Sequence, residues 1–247
     1  MKNVLARGGI EFIAVLLGIS ISLWIEKNNQ ASDLNDKIEE VHNIILAEVL
    51  ELIKYTDSRL ERYDKQDNDI DFLFDNWDSF NIENIEQSTQ FSVSIFSTTY
   101  MEFRPNLSTL QTLKNDGRFN FIDEEIRKMF GSFYTEIDRI NRLQIKEDRV
   151  KEELLSYLSD NHSEIIFDYP INFNLGKKQK LTTLNFMRVI EKTRSDRAIF
   201  GFLGRKSSLA KFRNNSVRVD TKSNLEKIKK KLNNYLGKQK FEKYFSK

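Results

Sequence analysis

The chain opens with an almost uninterrupted apolar run. Residues 8–25 read GGIEFIAVLLGISISLWI, eighteen residues with one charge, Glu11. At ~1.5 Å per residue they form about 27 Å of helix, enough to cross the hydrocarbon core of a bilayer. About ten strongly apolar residues, at roughly −0.5 kcal/mol each, favour insertion by more than a charge near one end costs. The run therefore predicts a transmembrane helix, with residues 1–27 as an N-terminal anchor.

Two other interpretations of this run stay open. A basic start before an apolar stretch is also typical of a cleaved signal peptide, and residues 18–20 (GIS) and 20–22 (SIS) have the small-x-small pattern of a cleavage site. Both triplets lie inside the run, which continues to Ile25 and so favours an uncleaved signal-anchor. The third interpretation is a buried helix of a water-soluble protein.

The residues that flank the run predict its orientation. Lys2 and Arg7 precede it and only Lys27 follows closely, which favours an N-terminus on the cytoplasmic side. Trp24 stands at the far end, where an indole suits the membrane interface. In a Gram-negative cell the protein would cross the inner membrane once and place its large C-terminal part in the periplasm.

Small side chains recur every four residues along the predicted anchor, at Ala14, Gly18 and Ser22. Such a stripe lets a second helix approach closely, so it predicts helix association and a possible homo-oligomer. Glu11 lies near the stripe, one turn from Arg7. It could pair with that arginine, line the path of a small oligomeric pore, or lie at headgroup level with no role in association.

A helical rhythm follows a polar joint at residues 28–32. It predicts a helix that leads away from the membrane and packs in a coiled coil or inside a helical bundle. The apolar positions with 4-3 spacing are Leu34, Ile38, Val41, Ile45, Leu52 and Tyr55.

The acidic stretch at residues 57–86 has a weak likeness to a calcium loop. Three aspartates alternate from Asp67 to Asp71, and Asp78 stands in the twelfth position, but Phe72 takes the place of the required glycine. The stretch is therefore interpreted as a solvated helix face. Residues 89–103 alternate apolar and polar side chains in part, and they are predicted to be irregular or extended.

The second half of the chain predicts further helices. Leu107 to Leu113 forms a short helix that stops at the turn signal of residues 115–117, and Asp123 then caps a long helix that reaches Leu155 or Leu158. The most polar part of that helix, residues 146–153, is predicted to be exposed. The apolar positions of the long helix are Ile126, Phe130, Phe133, Ile137 and Ile140.

A loop with a possible sub-boundary is predicted at residues 168–180, where Pro170 and Gly176 occur. Helices resume near Leu181, and the last one begins near Ser223. Its basic character is interpreted as a solvated face or a contact with anionic headgroups or an acidic partner. The apolar positions of the last helix are Leu225, Ile228, Leu232 and Leu236.

Composition agrees with a helical protein. The 247 residues include only nine Gly and two Pro, which favours an all-α fold: a transmembrane helix, then residues 28–247 as a soluble bundle with long helices. The absence of cysteine excludes disulfides and thiolate chemistry. The charges of the 39 basic and 37 acidic residues nearly cancel, so the protein has no strong overall electrostatic field that would favour nucleic acid as a partner.

The sequence contains no recognisable catalytic constellation. His42 and His162 are the only histidines, and neither belongs to a zinc-ligand spacing. No phosphate-binding loop, dinucleotide turn or nucleophile elbow occurs. We therefore expect no metal, no cofactor and no enzymatic activity.

Two stretches of the chain resemble an uncharacterised family of Bacteroidota single-pass membrane proteins, classed as a domain of unknown function. One is the glutamate-bearing anchor with its terminal Trp, and the other is a short helix, glycine turn and hydrophobic signature before a long helix. The family implies a membrane-anchored helical protein and supplies no activity. The matching positions are residues 9–11, 15–19, 23–24, 103–105, 107–114, 117 and 119–122.

The function expected from these features is a membrane-anchored assembly or sensor module without enzymatic activity. The alternative is a small oligomeric membrane effector or pore that uses the anchor helix. The lipid bilayer is the one partner that the sequence implies directly.

Overall fold

The computed structural model describes residues 2–169 and 178–245, with the side chains of residues 19–27, 30, 32–166, 168–169 and 183–238. The described backbone is helical and contains no strand, which confirms the all-α class and the long helices. The α-helices are α1 (Lys2–Asp75), α2 (Ser88–Phe96), α3 (Thr98–Met101), α4 (Ser108–Asn115), α5 (Glu124–Asn161), α6 (Ser163–Asp168), α7 (Lys178–Thr193), α8 (Arg197–Asn215) and α9 (Lys222–Phe245). Ile82–Asn84 and Arg118–Phe121 are 3₁₀-helices, and Ser216–Thr221 is a π-helix.

Helix α1 is one continuous element of 74 residues, about 111 Å long at ~1.5 Å per residue. The polar joint predicted at residues 28–32 is therefore wrong. Those residues include neither Pro nor Gly, so nothing in the backbone forces a break. The Gln30 side chain also donates to Glu26 Oε1 across one turn, at 3.3 Å.

The bundle has two apolar cores arranged along α1. The proximal core, nearer the N-terminal part of α1, is formed by α1, α4, α5 and α9 and includes Ile45, Phe130 and Leu232. The distal core is formed by α1, α2, α5, α7 and α8 and includes Leu73 and Phe186. Three helical elements pass through both cores: α1, α5, and the run from α8 through the π-helix into α9.

Most helix predictions of the second half are confirmed. Helix α4 ends where expected, with Gly117 in the left-handed region at φ 78°, and the Asp123 side chain accepts from the Glu125 N–H at the start of α5. Helix α5 extends beyond Leu158. All five apolar positions predicted for α5 and all four predicted for α9 are buried.

The extended segment predicted at residues 89–103 is wrong, because α2 and α3 are helices. The alternation there reflects serines that are buried together with their apolar neighbours. Ser92 donates to the Ser88 carbonyl, and the Ser94 hydroxyl is shared between the Phe91 carbonyl and Asp69 of α1, so both buried hydroxyls have acceptors. Helix α2 therefore buries all of residues 91–96 between α1 and α7.

Among the residues whose side chains are described, no helix combines the length and apolar character needed to cross a membrane. The predicted anchor at residues 8–25 lies largely outside that set, which contains only positions 19–25 of it. The loop and sub-boundary were predicted at residues 168–180. Of these, residues 170–177 also lie outside the described residues, and the last three are helical because α7 begins at Lys178.

Candidate functional site: a buried ionic layer beside a small cavity

Five polar side chains lie between the two apolar cores and form what we call the ionic layer. Each of the three through-going helical elements contributes to it near the point where that element passes from one core to the other. On α1, for example, Tyr63 is the last residue of the proximal core and Ile70 the first of the distal core. The layer consists of Gln66, Glu147, Lys206, Arg213 and Asn214, all fully or almost fully buried.

Arg213 is the centre of this layer, with its side chain fully buried. Its Nη1 lies 2.8 Å from both carboxylate oxygens of Glu147. Nη2 donates to Gln66 Oε1 at 2.5 Å and to Asn214 Oδ1 at 2.9 Å, while Nε also donates to Asn214. Every nitrogen of the guanidinium therefore has an acceptor, which is the condition under which a buried arginine is tolerated.

The layer continues from Arg213 to the surface of α1 and to the ring of Tyr63. Asn214 donates to Asp67 Oδ1 at 2.8 Å, and the guanidinium carbon of Arg213 lies 4.9 Å from the centre of the Tyr63 ring. The Tyr63 hydroxyl donates to the Met101 carbonyl at 2.9 Å. Burial raises the pKa of this phenol, so Tyr63 acts as a neutral hydrogen-bond donor.

Lys206 places a second cation close to Glu147. Its ammonium donates to the Ile95 carbonyl at 2.6 Å. Burial lowers the pKa of Lys206 to about 8, and the Glu147 carboxylate opposes that shift. Burial likewise raises the pKa of Glu147, which Arg213 opposes most strongly. One buried carboxylate and two buried cations make this the most heavily charged part of the described interior.

The prediction that residues 146–153 are exposed is wrong at this layer, because Glu147 is fully buried and Val150 is 8% exposed. The rhythm of α5 gave a signal: 140, 144, 147, 150 and 154 continue the buried face. Gln144 and Glu147 are polar, so the sequence pattern did not indicate a buried face there. The partner on α8 could not have been found from sequence, since Arg213 lies 66 positions from Glu147.

A small cavity of about 100 Å³ adjoins the ionic layer on the side of α2 and α3. Ser94 and Met101 contribute to its wall, and the backbone carbonyls of these two residues accept hydrogen bonds from layer-facing side chains of α1. Gln66 donates to Ser94 at 2.6 Å, and Tyr63 donates to Met101. The cavity and the ionic layer are therefore linked by direct hydrogen bonds.

The residues predicted for the anchor are only partly described. The side chains of Arg7, Glu11, Ala14 and Gly18 lie outside the described set. Ser22 is exposed, and the Trp24 side chain is 64% exposed. None of the described members contacts the ionic layer, which lies some forty residues further along α1.

The two histidines occupy separate structural positions. His42 packs against Tyr235 with ring centres 4.0 Å apart, and burial lowers its pKa. His162 Nε2 lies 2.9 Å from Asp196 Oδ2, whose carboxylate also accepts from the Tyr157 hydroxyl and caps α8. Within the described residues, no group of three or more His, Asp or Glu side chains is placed to hold a metal ion.

The chain has no match among protein-family models, curated proteins or solved structures.

Proposed function

We propose that this protein is a membrane-anchored helical assembly or sensor module without enzymatic activity, in which α1 is both the anchor and the central helix of the bundle. The observation that carries this proposal is the continuity of α1 from Lys2 to Asp75. A helix without a joint transmits rotation or displacement of its first part directly to the cores that its later part builds.

The described end of the predicted anchor supports a location in lipid or against another chain. Positions 19, 21, 23, 24 and 25 are apolar and each is 47–64% exposed. At ~100° per residue these positions lie on several sides of the helix, with only Ser20 and Ser22 between them, and so much exposed apolar surface favours an apolar environment.

The ionic layer supports a structural role for the buried charges. Arg213 donates hydrogen bonds to the Glu147 carboxylate and to neighbouring side-chain amides. These bonds hold three helical elements together. A layer of this kind fixes the register of α1 against α5 and α8, which is what a module that transmits motion along α1 requires.

Self-association is proposed through the stripe of Ala14, Gly18 and Ser22. Three small side chains one turn apart let two copies of α1 approach closely in lipid, where close packing drives association. The homo-oligomer would place two or more bundles on the same side of the membrane.

Fractionation tests the anchor. Full-length protein with a C-terminal tag is expected to stay in membranes after carbonate washing, and external protease should remove the tag only once the outer membrane is opened. Release by carbonate would overturn the anchor, and a tag that resists protease after the outer membrane is opened would overturn the periplasmic orientation.

Single-cysteine crosslinking tests the association, because the chain has no cysteine of its own. Ser22→Cys is expected to form dimers in membranes. The matched control is Ser20→Cys, which points ~200° away on the same helix and should crosslink at least about fivefold less. Equal crosslinking of the two variants, or monomer only for both, would contradict the stripe as the association surface.

A further inference from the structure

The cavity beside the ionic layer has the features of a binding site for a small anion. It is bounded by α1, α2 and α3 and has a volume of about 100 Å³. Two basic side chains, Arg62 and Lys65, stand on its α1 side, whereas Val93 and Met101 give it an apolar floor. Both floor residues are at least nine-tenths buried.

Arg62 is held in place by an aromatic ring. Its guanidinium carbon lies 4.9 Å from the centre of the Tyr100 ring, and both residues line the cavity. In the part of the chain with described side chains, no carboxylate lies within 4 Å of Arg62, although Arg139, Arg188 and Arg218 each have such a partner. The planar fork of Arg62 is therefore oriented while its N–H groups remain open to a ligand.

Lys65 adds positive charge without competing for the same place. Its ammonium lies 3.5 Å from Asp69 Oδ2, in a pair whose lysine side chain is 52% exposed. Asp69 in turn accepts from the Ser94 hydroxyl, so its carboxylate has two partners, and Asp69 itself does not line the cavity. The Thr89 side chain on the rim supplies one more polar group.

We propose that this cavity binds a short-chain monocarboxylate, with the carboxylate on Arg62 and the alkyl group on Val93 and Met101. A guanidinium binds a carboxylate through two parallel N–H···O bonds, a geometry that a lysine ammonium cannot reproduce. A volume of about 100 Å³ corresponds to roughly three water molecules at their liquid volume of ~30 Å³ each. A cavity of ~150 Å³ holds benzene, so this smaller one admits an acid of about two or three carbons.

Binding at this site reaches the ionic layer through two hydrogen bonds. The carbonyl of Met101 accepts from Tyr63, and the carbonyl of Ser94 accepts from Gln66. Both donors contact Arg213, through the aromatic ring of Tyr63 and through Gln66 Oε1. A ligand that shifts Met101 or Ser94 thus acts on Arg213. This arginine of α8 binds Glu147 of α5 and Gln66 of α1, and so holds the three helices together. This inference goes beyond the proposed function and does not depend on the anchor.

The methionines give a direct test. The chain has four, and Met101 lines the cavity while Met129 and Met187 lie in α5 and α7. Full-length protein labelled with ¹³C at the methionine methyl groups is titrated with sodium propionate in detergent, so the result is independent of membrane insertion. Met101→Leu, Met129→Leu and Met187→Leu assign the three signals one by one. The Met101 signal is expected to shift saturably at millimolar propionate while the other two stay unchanged.

Two arginine variants make the test specific. Arg62→Gln should weaken propionate binding by about tenfold or more, because it removes the charged hydrogen-bond donors. Arg205→Gln is the matched control: its guanidinium also lies over an aromatic ring, 4.8 Å from Phe202, but outside the cavity, and binding should be unchanged.

Three outcomes would overturn the proposal. They are a Met101 shift that does not saturate, an equal shift with sodium chloride or propionamide, and propionate binding that survives Arg62→Gln in protein with an unchanged far-ultraviolet circular dichroism spectrum. If carbonate releases the protein but propionate binds as expected, the anchor fails and the carboxylate site stands.

Discussion

Arg213 of α8 and Glu147 of α5 form a fully buried ion pair, in which one guanidinium nitrogen lies 2.8 Å from both carboxylate oxygens. The pair lies between two apolar cores, where Arg213 is the main charge that offsets burial of Glu147. A buried pair adds little net stability compared with apolar residues of the same volume, yet the loss of one partner leaves an uncompensated charge.

Glu147→Ala is therefore expected to lower the free energy of unfolding by about 3–5 kcal/mol, measured by urea unfolding and circular dichroism. The double variant Glu147→Met, Arg213→Met should be more stable than either single replacement by methionine, since it leaves neither charge alone. A double variant less stable than both single variants would contradict this account.

The exposed pair of Arg205 and Glu153 provides the control for that measurement. Its closest distance is 3.1 Å, but its side chains are 57% and 43% exposed. Glu153→Ala should change the free energy of unfolding by less than about 1 kcal/mol, because water screens the charges. A loss as large as that of Glu147→Ala would mean that burial is not the deciding factor.

Lys206 makes stability depend on pH in the alkaline range. Its pKa is about 8 in the fold and 10.5 in an ordinary environment, so between these values the unfolded chain binds more protons than the folded one. Stability from this group therefore rises as pH increases from 8 to 10.5 and is lost as pH falls through that range.

Lys206→Met should remove this rise. In urea unfolding at pH 8, 9 and 10, wild type is expected to gain roughly 2–3 kcal/mol relative to the variant, at ~1.36 kcal/mol per pKa unit. Lys206→Arg, which stays charged throughout, should lack the rise as well. Parallel curves for wild type and both variants would show that Lys206 does not titrate in this range.

Replacement of two glycines by alanine should change the free energy of unfolding in opposite directions. Gly117 has φ 78°, a conformation that costs an L-residue roughly 1–2 kcal/mol, so Gly117→Ala is expected to lower the free energy of unfolding by about 1 kcal/mol. Gly131 lies inside α5 with open space where a Cβ would stand, so Gly131→Ala should raise it by about 0.5–1 kcal/mol. Thermal unfolding of the two variants checks both signs, and a change of the same sign in both would contradict the conformational argument.

Local patterns predicted the helices well where a cap or a turn marked their ends. The Asp123 cap, the Gly117 turn and the apolar rhythm of α5 are properties of a few neighbouring residues, and each is found as expected. The same local reasoning failed for α2, because buried serines that bond to their own helix look like the polar half of a strand pattern.

The ionic layer and its cavity depend on contacts between distant parts of the chain. Arg213 meets Glu147 across 66 positions and Gln66 across 147, and no periodicity in one helix specifies which polar residue of another will face it. For that reason the sequence alone predicted that Glu147 is exposed to solvent.

The sequence by itself determined the helical class, most helix ends and the apolar faces, because capping, glycine conformation and helical periodicity act over only a few residues. Only the tertiary structure decided that α1 runs unbroken into the bundle, that two cores enclose a charged layer, and that Arg62 lies beside a small cavity. Those features follow from how helices pack side by side, and packing pairs residues that the sequence keeps far apart.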